Sequence, residues 1–412
     1  MNEPRSTRTY DVIVYGATGF TGKLVARYLL ERYGLHDDLH WAIAGRSAEK
    51  LQALKDDLGA AASALDTLVA DSADDAALEV LANQTRVVLT TVGPYALYGS
   101  KLVAACVEAG TDYCDLAGEV QWIRKMIDTH QVRAAQTGAR IVHCCGFDSI
   151  PSDIGVWFLQ DHAQREFGAT CSSIALFVKA TKGTMSGGTM ASMMNIVKEA
   201  QKDRSVAKTM AAPYTLNPEG EREGPDGYDQ QKVVFDRDAD AWTAPFIMGS
   251  INMRIVRRSN AVAGFPYGRD FRYREAMLTG RGIGGWLKGT MITLALGVLM
   301  LGVSIGPTRK FLQRFVLPKP GEGPSPELQK AGFFNLMQIG KLPDGRTLRS
   351  RITGDQDPGY GSTSKMLAEA AVCLAKDALE TGGGVWTPAS AMAAPLMARL
   401  TKNAGLTFDV VD

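Results

Sequence analysis

Residues 10–34 of the chain read YDVIVYGATGFTGKLVARYLLERYG, and this stretch decides the fold. Its first six residues form a short, β-branched apolar run, which is typical of a strand buried on both faces of a parallel sheet. From residue 24 onward the apolar residues recur at helical spacing. In a strand–turn–helix unit, glycines permit the sharp turn, let backbone N–H groups approach a pyrophosphate, and let helix and strand pack closely. We therefore predict a dinucleotide site at Gly16, Ala17, Thr18, Gly19, Phe20 and Gly22.

The end of the second predicted strand indicates which dinucleotide fits. The glycine spacing GxxGxxG also suits a tight turn that binds no nucleotide, so the surrounding residues must decide. NAD-binding proteins often carry an acidic residue after this strand, but this chain has Arg46, Ser47 and Lys50 there. A guanidinium fork and a hydroxyl suit a 2′-phosphate, which predicts NADP(H) rather than NAD(H). A solvated helix start is the alternative.

Strand and helix patterns alternate up to about residue 150, as in a doubly wound parallel sheet. The predicted fold class is therefore α/β, a Rossmann-type doubly wound parallel sheet with a second α+β domain and a hydrophobic insertion. Ligands of such sheets bind at the carboxyl ends of the strands. Those ends predict site residues at Asp71, Thr90, Thr91, Gly93, Pro94 and in the loop 146–153. Helix caps and plain turns are the alternative for each of them taken singly.

Composition excludes several other classes of protein. With 45 Lys and Arg against 44 Asp and Glu, the net charge of +1 gives no electrostatic basis for binding nucleic acid. The six cysteines and five histidines show no metal-ligand spacing, so no metal site is expected, and Cys144 and Cys145 are interpreted as small buried residues. The first residues lack an apolar signal-peptide core, which predicts a protein on the cytoplasmic side of the membrane.

The alternation of strand and helix patterns ends near residue 150, and we therefore predict that the chain has three segments. Residues 1–150 are predicted to form the NADP-binding Rossmann domain, 151–355 an α+β substrate domain, and 356–412 a helical part that packs back on the Rossmann domain.

Within the second domain, residues 215–245 are predicted to be a long mobile loop and a candidate lid. A helix start at 186–189 offers N–H groups to a substrate oxygen or is a plain cap. Arg254, Arg257 and Arg258 are candidates for an acyl-carrier phosphate, with a solvated strand edge as the alternative.

Residues 289–308, GTMITLALGVLMLGVSIGPT, carry no charge, and basic residues lie on both sides. Twenty such residues are long enough to cross a bilayer as a helix. Crossing would separate the C-terminal segments from the nucleotide domain, so we favour a membrane-surface or re-entrant anchor. A buried helix or hairpin and a true span are the alternatives. An anchor predicts association with the plasma membrane.

Nine stretches together carry a resemblance to a known family. In chain order they are GATGFTG, AGRS, TTVGPYALYG, AGTDYCDLAGE, CGFDSIPSD, KGTMSGGT, PKPGEGPS, DPGYGSTSKMLAEAA and GGGVWTPASAM. They resemble the saccharopine dehydrogenase-like oxidoreductases and, more narrowly, the mycobacterial trans-acting enoyl reductases. The resemblance implies an NADP-dependent enzyme that reduces a double bond in an acyl or polyketide thioester, carried by a synthase that makes cell-envelope lipids or glycolipids. Saccharopine-type C–N chemistry and a non-catalytic, membrane-associated nucleotide-binding protein are the alternatives.

Enoyl reduction needs a hydride, a group that stabilises the enolate, and a proton donor. The predicted catalytic residues near the nicotinamide are Tyr95 first, then Tyr98, Asp148 and Ser149, with Lys179 or Lys182 facing them from the second domain. A structural role is the alternative for each. A homo-oligomer is a further expectation.

Overall fold

The structure is a computed structural model that describes residues 7–35, 38–184, 186–315 and 322–411. One of its two sheets has seven parallel strands, numbered here in chain order. These strands are β1 (Tyr10–Tyr15), β2 (Trp41–Gly45), β3 (Asp66–Val69), β4 (Thr85–Thr90), β5 (Asp112–Cys114), β6 (Arg140–Val142) and β13 (Gly384–Trp386). Their spatial order is β13-β6-β5-β4-β1-β2-β3, and β1 pairs with β2 and with β4. The Rossmann-type sheet predicted from residues 10–34 is confirmed.

Helices cover this sheet and are connected to the strands by short turns. They are α1 (Phe20–Tyr33), α2 (Ala48–Leu58), α3 (Asp75–Asn83), α4 (Tyr95–Tyr98), α5 (Ser100–Ala109), α6 (Val120–Thr137), α14 (Gly361–Lys376) and α15 (Pro388–Asn403). The alanine-rich α14 contacts α1, β1, β4 and β5, and every residue from Gly361 to Ala375 is buried. Its small side chains let it approach the sheet closely, so the C-terminal segment forms part of the nucleotide domain's core.

The second sheet is mixed and also has seven strands. These are β7 (Ser173–Lys182), β8 (Val234–Asp236), β9 (Ala241–Ala244), β10 (Arg272–Gly280), β11 (Phe333–Lys341), β12 (Thr347–Gly354) and β14 (Leu406–Val411). Their order is β14-β12-β11-β7-β10-β9-β8, in which β7 and β10 are parallel and the other neighbours antiparallel. The sheet's helices are α7 (Ile150–Phe167), α8 (Gly187–Lys202), α9 (Arg204–Ala211), α10 (Gly249–Val262), α11 (Gly282–Ser304), α12 (Gly306–Phe315) and α13 (Pro326–Lys330).

The division predicted at residue 356 does not coincide with a boundary between the two sheets. β13 pairs with β6 in the first sheet, whereas β14 pairs with β12 in the second. The segment after residue 356 therefore contributes a strand to each sheet and is not a purely helical addition. The pattern GGGVW is too short to show which sheet its strand joins.

The three arginines of NMRIVRRSN lie on α10 and are buried, so neither role predicted for them fits. Ion pairs join Arg254 to Asp229 at 2.9 Å and Arg257 to Asp226 at 2.7 Å. Arg258 donates to backbone carbonyls, and burial lowers its pKa to about 9. The carbonyl acceptors of the three arginines include those of Met210, Pro213, Leu216 and Val385.

These contacts also bear on the segment 215–245, predicted to be a mobile lid. Arg124 of α6 donates to the carbonyls of Thr215 and Asn217 at 3.1 and 2.9 Å, so the beginning of the segment is held between α6 and α10. The later residues form β8 and β9 of the second sheet. The segment is part of the domain's framework, and the lid prediction is not supported.

Candidate active site

The glycine-rich turn between β1 and α1 is tightly packed. Gly16 has φ +83°, and a Cβ atom there would lie 2.5 Å from Cγ2 of Val92. A Cβ atom at Gly22 would lie 2.3 Å from the carbonyl oxygen of Gly16, so any side chain at Gly22 would push α1 away from the turn. Gly19 is exposed and precedes the first turn of α1. The turn therefore presents bare backbone and the N-terminus of α1 at the carboxyl edge of the sheet, as a pyrophosphate requires.

The side chains of the turn point in different directions. Ala17 is buried, and Thr18 is half-buried. The Phe20 ring packs edge-on against Tyr360, with the ring centroids 4.7 Å apart. Of the residues predicted to bind the cofactor, Phe20 can therefore contribute its backbone, because its ring is engaged with the C-terminal part of the chain.

The predicted 2′-phosphate side of the site carries one exposed guanidinium group. Arg46 is exposed and makes no ion pair among the described residues, and Lys50 is also exposed. Ser47 caps α2, since its Oγ accepts a hydrogen bond from the Lys50 N–H at 3.2 Å. Asp71 closes the turn before α3 by accepting from the Ala73 N–H at 2.8 Å. The capping alternative therefore holds for Ser47, while the guanidinium of Arg46 is available for a phosphate.

The segment after β4 lies directly beside the glycine-rich turn. The Thr91 hydroxyl donates to the carbonyl of Gly16 at 3.2 Å, and the Thr90 hydroxyl accepts from the Val92 N–H at 3.2 Å. Gly93 is exposed and Pro94 half-buried, so the chain there forms an open rim before α4. Thr91, Gly93 and Pro94 are thus close to the turn, as their place at the end of β4 predicts.

Tyr95, the residue predicted first as proton donor, points into the core. Its hydroxyl donates to the Thr90 carbonyl at 3.3 Å and accepts from the Leu116 N–H at 3.1 Å, and its ring stacks on Trp122. Burial raises the pKa of Tyr95 well above its usual value. With its proton held inside the protein, Tyr95 does not fit the role of proton donor. Tyr98, at the other end of α4, is 46% exposed.

Glu119 was not singled out by the sequence, yet it joins the two domains across the site. It is fully buried and accepts hydrogen bonds from the N–H groups of Tyr95 and Ala96, at 2.6 and 3.0 Å. It also accepts from the Ser192 hydroxyl of α8 at 2.7 Å. Burial raises its pKa. The only sequence signal for the role of Glu119 was its position at the end of AGTDYCDLAGE, one residue before a helix.

A second network missed by the sequence lies under the ends of β5 and β6. The Asp115 carboxylate contacts Nδ1 of His143 at 2.7 Å and accepts from the Tyr113 hydroxyl at 2.9 Å. It also accepts from the N–H groups of Ala117 and Cys144, at 3.0 and 3.1 Å. These bonds hold the loops after β5 and β6 in fixed positions, and that fixes the direction of the segment leading to Asp148.

Asp148 and Ser149 follow this network in the chain, and their surroundings and hydrogen bonds differ. Ser149 has a strained φ of +120°, is buried, and donates to Oδ1 of Asn252 at 3.0 Å. Its hydroxyl is thus used inside the protein, and the role left to it is to fix the turn. The Asp148 carboxyl receives no hydrogen bond from the described residues and lies near Gly118, and the residue as a whole is half-buried. Burial alone raises its pKa to about 7.

The second domain faces this site with the start of α8. Ser186 caps α8 by accepting from the Thr189 N–H at 2.9 Å, and the Gly187 N–H donates to the Tyr360 hydroxyl at 2.9 Å. Tyr360 also contacts Phe20, so the start of α8 is close to the glycine-rich turn. Lys179 and Lys182, at the end of β7, are exposed. The site is therefore a crevice between the carboxyl ends of the first sheet and the β7–α8 connection.

Comparisons with known proteins agree with this geometry. Residues 12–142 match the family model described as the saccharopine dehydrogenase NADP-binding domain. The chain is 37% identical to the trans-acting enoyl reductase of Mycobacterium ulcerans, over 96% of each protein. It is 41% identical to a Mycobacterium tuberculosis protein named as a candidate trans-acting enoyl reductase, over 95% of this chain and 96% of that one. The yeast saccharopine dehydrogenase that forms L-glutamate shares the fold, with TM-score 0.53, 13% identity, and coverage of 98% of this chain and 100% of that one.

The fold, the glycine-rich turn and the matched domain define an NADP-dependent oxidoreductase. The bare turn, the helix N-terminus and the free Arg46 fit NADP(H). The chain belongs to the family of the mycobacterial trans-acting enoyl reductases, and its own nucleotide domain is of the saccharopine dehydrogenase type.

Proposed function

We propose that this protein reduces the α,β-double bond of an acyl or polyketide thioester with NADPH, in the assembly of a cell-envelope lipid or glycolipid. The observation that carries the proposal is the Asp148 carboxyl, which follows β6 at the carboxyl end of the sheet, receives no hydrogen bond from the described residues, and has its pKa raised to about 7 by burial. Such a carboxyl is protonated in a large fraction of molecules near neutral pH and can act as a general acid. The relatives' names support a double bond as the reacting group.

The residues of the chain divide the work between binding and proton transfer. The backbone of the glycine-rich turn and the N-terminus of α1 hold the pyrophosphate, while the Arg46 guanidinium pairs with the 2′-phosphate. NADPH, when bound, supplies the hydride that adds to the β-carbon. Asp148 gives its proton to the α-carbon, so the two electrons of the hydride and one proton convert the double bond to a single bond. The carboxylate left behind regains a proton from solvent before the next turnover.

Tyr98 is the second candidate contact with the thioester. It ends α4, the short helix that follows the open rim of Gly93 and Pro94, and nearly half of its surface is exposed. A phenol can donate a hydrogen bond to the thioester oxygen as negative charge develops there. We propose this supporting role for Tyr98 in place of Tyr95, whose hydroxyl is used in the core.

Saccharopine-type chemistry is less well supported by the charged residues of the crevice. A substrate with several carboxylates needs several cations, so clustered arginines facing the crevice would favour this chemistry. Arg254, Arg257 and Arg258 are instead buried and bonded within the second domain. Of the exposed cations named above, Arg46 is assigned to the 2′-phosphate, and Lys179 and Lys182 are single lysines at the end of β7 rather than an arginine cluster.

The test is a turnover assay with isotopic labels. The purified protein is mixed with NADPH and a long-chain α,β-unsaturated acyl-CoA, and NADPH fluorescence is followed over time. Cofactor deuterated on the transferred face is expected to label the β-carbon, and deuterated water the α-carbon, as read by mass spectrometry of the product. A saturated acyl-CoA of the same length is the matched control and should leave NADPH unchanged.

The same assay separates the alternatives. The same enoyl chain presented on an acyl-carrier domain tests whether a synthase-bound thioester is preferred. Lysine with 2-oxoglutarate tests C–N chemistry. NADPH oxidation with the amino acid and oxo acid, and none with any unsaturated thioester, would overturn the proposal.

A further inference from the structure

The helix α11 carries an apolar stripe that the rest of the described chain leaves uncovered. It is 23 residues long and has a mean hydropathy high enough for a membrane-crossing helix, but only 11% of its most apolar window is buried. The exposed residues share one side at spacings of three and four, namely Ile283, Leu287, Met291, Leu294, Val298, Leu301 and Ile305, the last of these just after the helix. An uninterrupted apolar stripe of this length marks an interaction surface. The alternative of a buried helix is therefore contradicted.

The opposite side of α11 is packed on the body of the protein. Gly285, Gly289 and Val303 are buried, and they lie across from the stripe when a turn of about 100° per residue is followed. A Cβ atom at Gly285 would lie 2.2 Å from the Gly280 carbonyl oxygen, and one at Gly289 would lie 3.1 Å from Val233. At the other end, Gln201 of α8 donates to the Ser304 carbonyl at 2.6 Å. Both ends of the helix are thus fastened to the same body.

Because α11 is attached to the protein along one side, it fits a position on a membrane surface better than one across the membrane. At about 1.5 Å per residue the helix is about 34 Å long, enough to cross a bilayer. A crossing helix, however, must be surrounded by lipid, whereas α11 is in contact with β9, β10 and α8 along one side. Only the stripe is free to meet an apolar phase.

The charges around the stripe indicate the kind of surface. Residues 282–315 contain four basic residues, Lys288, Arg309, Lys310 and Arg314, and not one Asp or Glu. Lys288 and Lys310 are exposed near the two ends of α11, as are the aromatic rings of Trp286 and Phe311. Apolar side chains bordered by cations and aromatic rings suit the boundary between the acyl chains and the headgroups of an anionic bilayer.

We propose that α11 and α12 dock this protein on the surface of an anionic phospholipid bilayer, with the stripe inserted in the interface and α11 lying in its plane. The proposal goes beyond the proposed reduction and does not depend on it. It commits to lipid as the occupant of the stripe. A second copy of the chain, or a helix that crosses the membrane, would be a different outcome.

The test is flotation of the full-length protein with vesicles of phosphatidylglycerol and phosphatidylcholine, with phosphatidylcholine vesicles for comparison. Val298→Asp places a charge in the stripe, and Val132→Asp on α6 is the matched control, since both valines are 71% exposed. We expect the parent protein to float with anionic vesicles and alkaline carbonate to release it. Val298→Asp should lower the partition coefficient at least about tenfold, and Val132→Asp should leave it unchanged. Lys288→Glu with Lys310→Glu should weaken binding to the anionic vesicles selectively.

Several results would overturn this proposal. Protein that stays in the aqueous fraction, or equal behaviour of Val298→Asp and Val132→Asp, removes the lipid contact. Resistance to alkaline carbonate indicates a crossing helix, and a dimer in size-exclusion chromatography that Val298→Asp dissociates indicates a second copy. NADPH binding, measured on each variant by fluorescence, should not change, so a failure of the proposed reduction remains distinguishable.

Discussion

Replacing Asp148 by Asn tests the proposed proton donor, because it should change activity and stability in opposite directions. Burial raises the pKa of this carboxyl from 3.8 to about 7, about three units. At about 1.4 kcal/mol per unit, the ionised form costs the folded state up to about 4 kcal/mol. The residue as a whole is only half-buried, so we discount this figure and expect the Asn variant to gain about 1–3 kcal/mol in free energy of unfolding at pH 8. A general acid contributes roughly 100- to 10,000-fold, so kcat should fall by that factor.

The sign of the pH dependence follows from the same shift. Between pH 4 and 7 the folded protein binds more protons at Asp148 than the unfolded chain, so its contribution to stability falls as pH rises through that window. Transfer of the proton requires the protonated form, so kcat/KM should fall as pH rises through about 7. In Asp148→Asn both dependences should flatten. The measurements are pH profiles of NADPH oxidation with the unsaturated thioester, and urea unfolding of both proteins at pH 5 and pH 8.

Asp153 provides the matched control. Burial also raises its pKa to about 7, but it accepts hydrogen bonds from Ser259 and from the Ala389 N–H, away from the crevice. Asp153→Asn should therefore alter stability and leave the pH profile of kcat/KM in place. If Asp148→Asn keeps its turnover, or if Asp153→Asn shifts the profile equally, the assignment of Asp148 as proton donor is refuted.

Three further substitutions test the rest of the site. Arg46→Ala should raise the Kd of NADPH by roughly 10- to 100-fold and leave that of NADH nearly unchanged, as measured by fluorescence titration; equal losses would remove the 2′-phosphate contact. Gly22→Ala should weaken binding of both nucleotides by more than about tenfold, because its Cβ would lie 2.3 Å from a carbonyl oxygen, whereas Gly227→Ala, with open space around it, should not. Tyr95→Phe should cost about 1–3 kcal/mol in thermal or urea unfolding with kcat within a few-fold of the parent, and a large selective loss of kcat would restore Tyr95 as a catalytic residue.

The nucleotide-binding half was predictable because its signals are local. A β-branched run, a turn that only glycine can make and a helical pattern follow one another in residues 10–34, and each is a property of neighbouring residues. The turn residues of LPDGRT, residues 342–346, are a local signal of the same kind, and they lie between the paired strands β11 and β12. The apolar run 289–308 was recognised as exceptional, but hydropathy alone does not show which side of a helix a protein covers.

The roles of single polar residues were not predictable, because distant partners determine them. Tyr95 looked catalytic from its place after β4, yet Leu116 and the backbone of Thr90 hold its hydroxyl inside. The arginines of α10 looked like a phosphate site, yet carbonyl groups about 40 residues away in sequence accept their hydrogen bonds. Asp148 differs from these residues because no described residue donates a hydrogen bond to its carboxyl. The absence of a donor cannot be read from a sequence.

The last strand of the nucleotide-binding sheet, β13, is formed by residues 384–386 of a 412-residue chain, and the core helix α14 ends at Lys376. During synthesis, the glycine-rich turn leaves the ribosome before the helix and strand that complete its sheet. A nascent chain therefore carries an unfinished apolar sheet until residue 386 has emerged, a period in which chaperones have access to it. We expect a product that ends before residue 361 to lose cofactor binding even though the glycine-rich turn and Arg46 had been made.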